Sequence, residues 1–282
     1  MALIGKRNLL KLVRETQSGF YLDGGEHGEI LLPGRYIPKG AKPDDELDVF
    51  IYRDSEDRLV ATTETPRAMV GDFAALRVVS MQPRIGAFLD WGLEKDLLLP
   101  IRELGGFRSE GDWVVVYIHL DEKSNRIVAS SRLTKWCDKT PSYIRNQPVK
   151  LIITDESPLG FNAIVDNKYR GLLYHKELAD SLAIGQHVEG FVRSVRPDGK
   201  IDLALDKTGF NRIKPLTEQI LETLKNAGGT LPLHDKSSPA EIRATFSVSK
   251  TAFKQAIGIL YKGRLIRIEP GEIHLVTSPL FP

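Results

Sequence analysis

The sequence predicts a mainly β protein with an α+β C-terminal domain: three tandem five-stranded barrels, then a small helical domain ending in a β-hairpin. Two observations lead there. One spacing of glycine, proline and charged residues recurs three times in the first three quarters of the chain. Near residue 206 the hydrophobic period then changes from that of strands to that of helices.

The recurring phrases are PDDELDVFIYRDSEDRLVATT, GDWVVVYIHLDEKSNRIVASS and GQHVEGFVRSVRPDGKIDLAL. Pro43 to Arg58, Gly111 to Arg126 and Gly185 to Lys200 are each 15 residues apart. Upstream, Gly19 precedes Pro43 by 24 residues, while Gly86 precedes Gly111 and Gly160 precedes Gly185 by 25. The unit is therefore roughly 70 residues, the size of one small domain. In the second unit FAALRVV, AFLDWG, DLLLP, WVVVYIHL and RIVASS alternate or run apolar between turn residues. Five strands in so short a span suit a closed OB-fold barrel. The runs 34–46, 101–111 and 175–186 fall where such a barrel carries its extra helix or loop. The expected domains are 1–65, 66–134 and 147–206 for the barrels and 212–282 for the last domain.

The stretch GAFLDWGLEKDLLLP (86–100) raises the first functional question. Alternation sends Leu89 into the barrel and Phe88 and Asp90 outward. Gly86 would leave the sheet bare beside Phe88, giving a base room to approach. An exposed ring on such a sheet stacks on a nucleobase; a ring between tandem barrels packs on its neighbour. Both readings stand for Phe88.

The pattern Gly-Ala-Phe-aliphatic, Leu-Leu-Leu, Gly-Asp and Arg-Ile-Val-Ala-Ser-Ser resembles the RNA-binding OB repeat named after ribosomal protein S1. That resemblance implies an aromatic just before the glycine, a second two residues after it, a His on the third strand, and single-stranded RNA as ligand. The second aromatic is matched by Tyr21 and Phe88. Ser18, Ile85 and Leu159 stand at the first, and Leu32, Leu99 and Tyr174 are assigned to the His position. Units one and two are accordingly expected to be spacers or weak sites.

Unit three reads differently. GFNAIVDNKYRGLLYHKE carries Lys168, Tyr169, Arg170, Tyr174, His175 and Lys176. Rings interleaved with cations suit bases and phosphates of a single strand. The other reading is a hairpin turn with solvated charges, Tyr174 being a barrel-rim residue bonded through its hydroxyl.

Beyond the junction at 207–212, KPLTEQILETLKNAGG places Leu216, Ile220, Leu221 and Leu224 at helical spacing before a Gly pair. Ser238 before Pro239 opens a second helix, 239–245, and Ser249 opens a third, KTAFKQAIGILYKG. RLIRIEPGEIHLV forms two strands around Pro270-Gly271. Three helices and a hairpin make a winged helix. Lys250 and Lys254 share a helix face, and Arg264 and Arg267 charge the wing. These cations suit phosphate on duplex DNA or structured RNA; the alternative is a protein-docking domain with solvated lysines.

The order of three OB units and a winged helix resembles the bacterial conserved virulence factor B (YitL) family over essentially the whole chain. The phrases GEILLP (28–33), KDLLLP (95–100) and YRGLLY (169–174) carry the resemblance. It implies a non-catalytic RNA-binding protein that influences gene expression.

Charge agrees in part: from Lys207 onward 11 Lys and Arg stand against 6 Asp and Glu, while the rest has 28 against 31. The sequence shows no metal-binding His spacing, no phosphate loop and no nucleophile–base set, so we expect no enzyme, metal or cofactor. A lone Cys137, no apolar run long enough for a bilayer and no leader pattern favour the cytoplasm without membrane. RNA is the expected partner. Duplex DNA through the winged helix is one alternative, and an adaptor docking on ribosome, polymerase or nuclease is the other.

Overall fold

A computed structural model describes residues 2–178, 181–205 and 209–276, with the backbone alone for Lys176 and 209–215. The Lys176 side chain and the last residues of the expected C-terminal domain, 277–282, lie outside the described residues. The chain forms two compact units, Met1–Cys137 and Asp138–Pro282.

The first unit holds two closed barrels. The first consists of β1 (Arg7–Thr16), β2 (Gly19–Asp23), β3 (Glu29–Pro33), β4 (Glu46–Arg53) and β5 (Leu59–Thr62). The second consists of β6 (Phe73–Gln82), β7 (Gly86–Asp90), β8 (Leu97–Pro100), β9 (Trp113–Leu120) and β10 (Ile127–Ser130). The second unit opens with a third barrel, β11 (Pro148–Ser157), β12 (Gly160–Val165), β13 (Tyr169–Tyr174), β14 (His187–Val195) and β15 (Ile201–Ala204). In each, the third strand pairs in parallel with the fifth, as β3 with β5, β8 with β10 and β13 with β15. Short 3-10 turns, Gly34–Tyr36, Ile101–Glu103 and His175–Glu177, follow the third strands in the expected runs.

Alternation fills each interior. In the first barrel Leu12, Leu22, Ile30, Leu32, Val49 and Ile51 are fully buried. Each first strand also slips register at one point, between Leu12 and Arg14, Val78 and Ser80, and Ile153 and Asp155. The extra residue bends the strand so that it can serve both neighbours in a closed sheet.

The glycines opening the second strands have one cause. A Cβ on Gly19 or Gly86 would lie 2.1 Å from the carbonyl oxygen of Leu32 or Leu99, and on Gly160 1.9 Å from that of Leu173. Their φ angles of 140°, 144° and 155° also disfavour a side chain. Gly86 therefore answers to the close approach of β8, not to room for a ligand beside Phe88.

The C-terminal domain packs α1 (Gly209–Asn226), α2 (Pro239–Phe246) and α3 (Lys250–Lys262) around Ile220, Leu224, Phe253, Ala256 and Leu260. Ser238 and Glu241 close a capping box on α2, and Ser249 caps α3 through the Ala252 amide. The expected hairpin is β17 (Ile266–Glu269) and β18 (Glu272–Leu275). A strand of two residues, β16 (Thr230–Leu231), joins it in the order β16-β18-β17.

Two glycine substitutions should move stability in opposite directions. Gly160→Ala should lower it by about 1–3 kcal/mol, from strain at a close backbone contact. Gly258, inside α3, has open space where a Cβ would sit, so Gly258→Ala should raise it by about 0.5–1 kcal/mol. Urea denaturation of the two variants checks both signs.

Candidate functional site

The pairing register aligns the outer faces of the three barrels. Tyr21 faces Leu31 and Leu31 faces Val60; Phe88 faces Leu98 and Leu98 faces Val128; Asn162 faces Leu172 and Leu172 faces Asp202. On the first strands the partners of Tyr21, Phe88 and Asn162 are Arg14, Ser80 and Asp155. One backbone position thus carries three surfaces.

The row of the first barrel is largely occupied. Arg14 lies 4.1 Å from the Tyr21 ring centre and bonds Glu29 through its guanidinium. Val60 is buried because the second barrel covers it: Phe50, Tyr52 and Val60 join the core of that barrel, and Phe50 meets Trp91 edge-on at 5.7 Å.

The row of the second barrel is apolar and partly open: Phe88 and Leu98 are half-buried and Val128 is buried. Phe88, Leu98 and Val128 line a cavity of about 230 Å³ with Ile85, and Tyr52 and Arg53 of the first barrel form part of its wall. Leu89 is fully buried and Phe88 half-buried, as alternation requires. Arg53, Lys95 and Arg126 also line the cavity. Arg126 pairs with Asp57 across the barrels. The Lys95 ammonium donates to the carbonyls of Arg53 at 3.0 Å and Asp54 at 2.6 Å. Burial pulls its pKa below the usual lysine value, only partly offset by Asp57.

The row of the third barrel is polar and acidic. The Tyr174 hydroxyl donates to Asp202 at 3.1 Å and accepts from Arg196, which also donates to Asp202 at 2.6 Å. Ser194 donates to Asp202, and Asn162 to Asp155. Burial alone would raise the Asp202 carboxyl, but the bonds from Arg196 and Ser194 hold it below its ordinary value. Burial and the Asp202 carboxylate raise the Tyr174 phenol.

This corrects the reading of 168–176. Pairing with Gly160 puts Tyr174 at the register position of Pro33 and Pro100, not with Leu32 and Leu99, whose counterpart is Leu173. Tyr169 points to the other side of β13 and packs on the barrel core, edge-on to Tyr143 at 5.5 Å. Lys168 lies 3.4 Å from Asp138 and 5.5 Å from the Tyr169 ring. Arg170 is half-buried and engaged. The His175 Nε2 sits 3.0 Å from the Ser157 carbonyl and 3.5 Å from Glu156. Tyr169 is thus parted from Arg170 and Tyr174, which share the other side of β13, while Lys168, Tyr174 and His175 each have a partner of their own.

The turn His175–Glu177 lies beside α3. Lys250 donates to the Lys236 carbonyl at 3.2 Å, while Lys254, Arg264 and Arg267 are exposed. On the wing, His274 Nε2 is 3.0 Å from Glu272 and 3.5 Å from Glu269, a trio that could share a proton or hold a metal ion. His-spacing rules missed it because the trio spans a hairpin turn. The signal for the cavity was Ile85 next to Gly86, two residues before Phe88.

No described helix is long and apolar enough to cross a membrane. Three OB-type barrels and a winged helix define a multidomain protein of tandem small modules, whose outer barrel faces are its variable surfaces. The S1 domain model matches residues 4–64, and the CvfB-like winged helix domain model matches 218–275. Neither model describes a catalytic family. The chain is 27% identical to YitL of Bacillus subtilis (strain 168) over 274 residues, covering 95% of this chain and 92% of that protein. It is 26% identical to conserved virulence factor B of Staphylococcus aureus (strain USA300) over 294 residues, covering 98% and 95%. A crystal structure of a multidomain protein with nucleic acid binding domains from Streptococcus pneumoniae TIGR4 aligns at 23% identity and a TM-score of 0.43, over 97% and 98% of the chains. Over nearly its whole length the chain is similar to the conserved virulence factor B and YitL proteins, and its C-terminal domain matches the CvfB-like winged helix domain.

The depressed Asp202 carboxyl gives stability that is present above the ordinary carboxylate pKa, about 3.9, and lost as pH falls through the lower folded value. Asp202→Asn should therefore destabilise the protein at pH 7, and its deficit against the parent should shrink toward pH 3. Urea midpoints of both proteins across that range test this.

Proposed function

We propose that the chain is a non-catalytic cytoplasmic protein that binds single-stranded RNA and acts in the control of gene expression. The observation that carries this reading is the apolar row Phe88, Leu98 and Val128 with its cavity of about 230 Å³. An unpaired base can stack on Phe88 while its backbone runs past Arg53 and Arg126. The second barrel, not the third, would supply most of the affinity, because Asp155 and Asp202 put carboxylates where phosphates would lie. Tyr21, already under Arg14, would add little. The match of the first barrel to the S1 domain favours RNA over DNA, and the name of the staphylococcal relatives is in keeping with a regulatory role.

The winged helix would add phosphate contacts to structured RNA through Lys254, Arg264 and Arg267, since α3 contains no acidic residue. Lys250, tied to a carbonyl, would contribute less. A second reading, docking on a protein, is favoured by the exposure of Ile259, Tyr261 and Leu265 on the same domain.

Fluorescence anisotropy with single-stranded oligoribonucleotides tests the proposal. Log affinity should fall linearly with log salt, with a slope of about −0.7 per phosphate neutralised. Phe88→Ala should weaken binding about tenfold, the worth of one stacked base. Tyr174→Ala and Lys168→Ala should change it little. Absence of binding at micromolar protein, or equal losses from Phe88→Ala and Tyr174→Ala, would sink the reading.

A further inference from the structure

We propose that the cleft on the second barrel is a slot for guanine, with Asp96 accepting from the base N1–H and N2–H and Lys95 donating to O6. This rests on the single-stranded RNA reading above and adds which base the site selects.

Asp96 lines the cavity beside Phe88 and Leu98, is half-buried, and has no hydrogen-bond or ion-pair partner among the described residues. A carboxylate so placed has its acceptor lone pairs free for the N–H donors of a ligand. Burial and the neighbouring Asp90 raise its pKa, in line with a group short of donors. Its counterparts in charge around the cavity are committed elsewhere: Arg126 to Asp57, Arg53 to the carbonyls of Asp57 and Asn125.

A phosphate cannot be what satisfies Asp96, since both are anions. The edge of a base can. Only guanine offers two adjacent N–H donors, which match the two oxygens of a carboxylate. Adenine and cytosine present an amino group beside a ring nitrogen that accepts, and uracil presents one imino group between two carbonyls. Each of those places a lone pair against a carboxylate oxygen.

Lys95 supplies the complementary donor. Its ammonium has three N–H groups, and two are given to the Arg53 and Asp54 carbonyls. The third remains for the guanine O6, next to the N1–H that Asp96 takes. The cavity, about 230 Å³, is smaller than the ~300–1,000 Å³ typical of drug-sized pockets, which suits one base rather than two.

The test compares oligouridylates carrying one central guanosine, inosine, adenosine or cytidine, by fluorescence anisotropy on the full chain. The guanosine oligomer should bind about tenfold more tightly than the adenosine or cytidine ones, the discrimination expected of one bidentate base contact. Inosine, which lacks the 2-amino group, should fall between. In Asp96→Asn, whose folding is checked by circular dichroism, the guanosine preference should drop below twofold. Binding without a guanosine preference, or a preference that survives Asp96→Asn, overturns the guanine slot and leaves the RNA reading standing. Failure of every oligomer to bind overturns both.

Discussion

Closing five short strands into a barrel leaves no room inside for anything but side chains, and this constraint governs the rest of the molecule. Leu22, Leu32, Leu89, Leu99 and Leu173 are at most 1% exposed. The closure holds only because Gly19, Gly86 and Gly160 let the second strand pass against a carbonyl of the third. Chemistry is then confined to the outward residue of each strand. Those residues meet in one row per barrel, so a few side chains decide what each module does.

The three rows show how far one backbone can diverge. Of the first row, Val60 is spent on the neighbouring barrel and Tyr21 on Arg14. A buried side chain of the size of Phe or Val contributes about 1.5–3 kcal/mol, so the burial of Phe50, Tyr52 and Val60 outweighs the exposed ion pairs Arg126–Asp57 and Arg35–Glu94, which solvent screens. The same packing creates a surface: Tyr52 and Arg53 of the first barrel become a wall beside Phe88. In the third barrel Asp202 draws Tyr174, Arg196 and Ser194 into a closed network, which uses up the groups that looked available for a ligand.

The repeat, the barrel closure and the winged helix were legible because they rest on spacing and period, which the chain carries locally. Phe88 facing outward followed from alternation alone. What alternation does not carry is register between strands. The assignment of Tyr174 beside Leu32 and Leu99 was one residue out, and a single-residue shift exchanges the two faces of a strand. The bulges at Leu12/Arg14, Val78/Ser80 and Ile153/Asp155 were equally silent, having no residue signature of their own. Partners distant in sequence were invisible for the same reason: nothing near Tyr174 announces Asp202 or Arg196, and nothing near Lys95 announces the carbonyls at 53 and 54. Cationic and aromatic letters side by side therefore carried nothing about the partners that hold Lys168 and Tyr174, and the letters of Ile85 and Phe88 nothing about the cavity they line.

In the RNA reading proposed above, a carboxylate lines a cleft for a polyanion, and the two faces of a nucleotide reconcile the charges. Phosphates lie along the outside of an unpaired strand, within reach of guanidinium groups at a rim. Bases turn inward and bring donors as well as acceptors. Asp155 and Asp202 border the outer face of the third barrel, where Asn162 and Arg196 already bond them. Asp96 lines a recess beside an aromatic ring, where a base edge can enter and a phosphate gains nothing. The sign of a side chain is thus insufficient to rank nucleic acid sites. Depth relative to the stacking surface decides whether an acid excludes the ligand or selects among its bases.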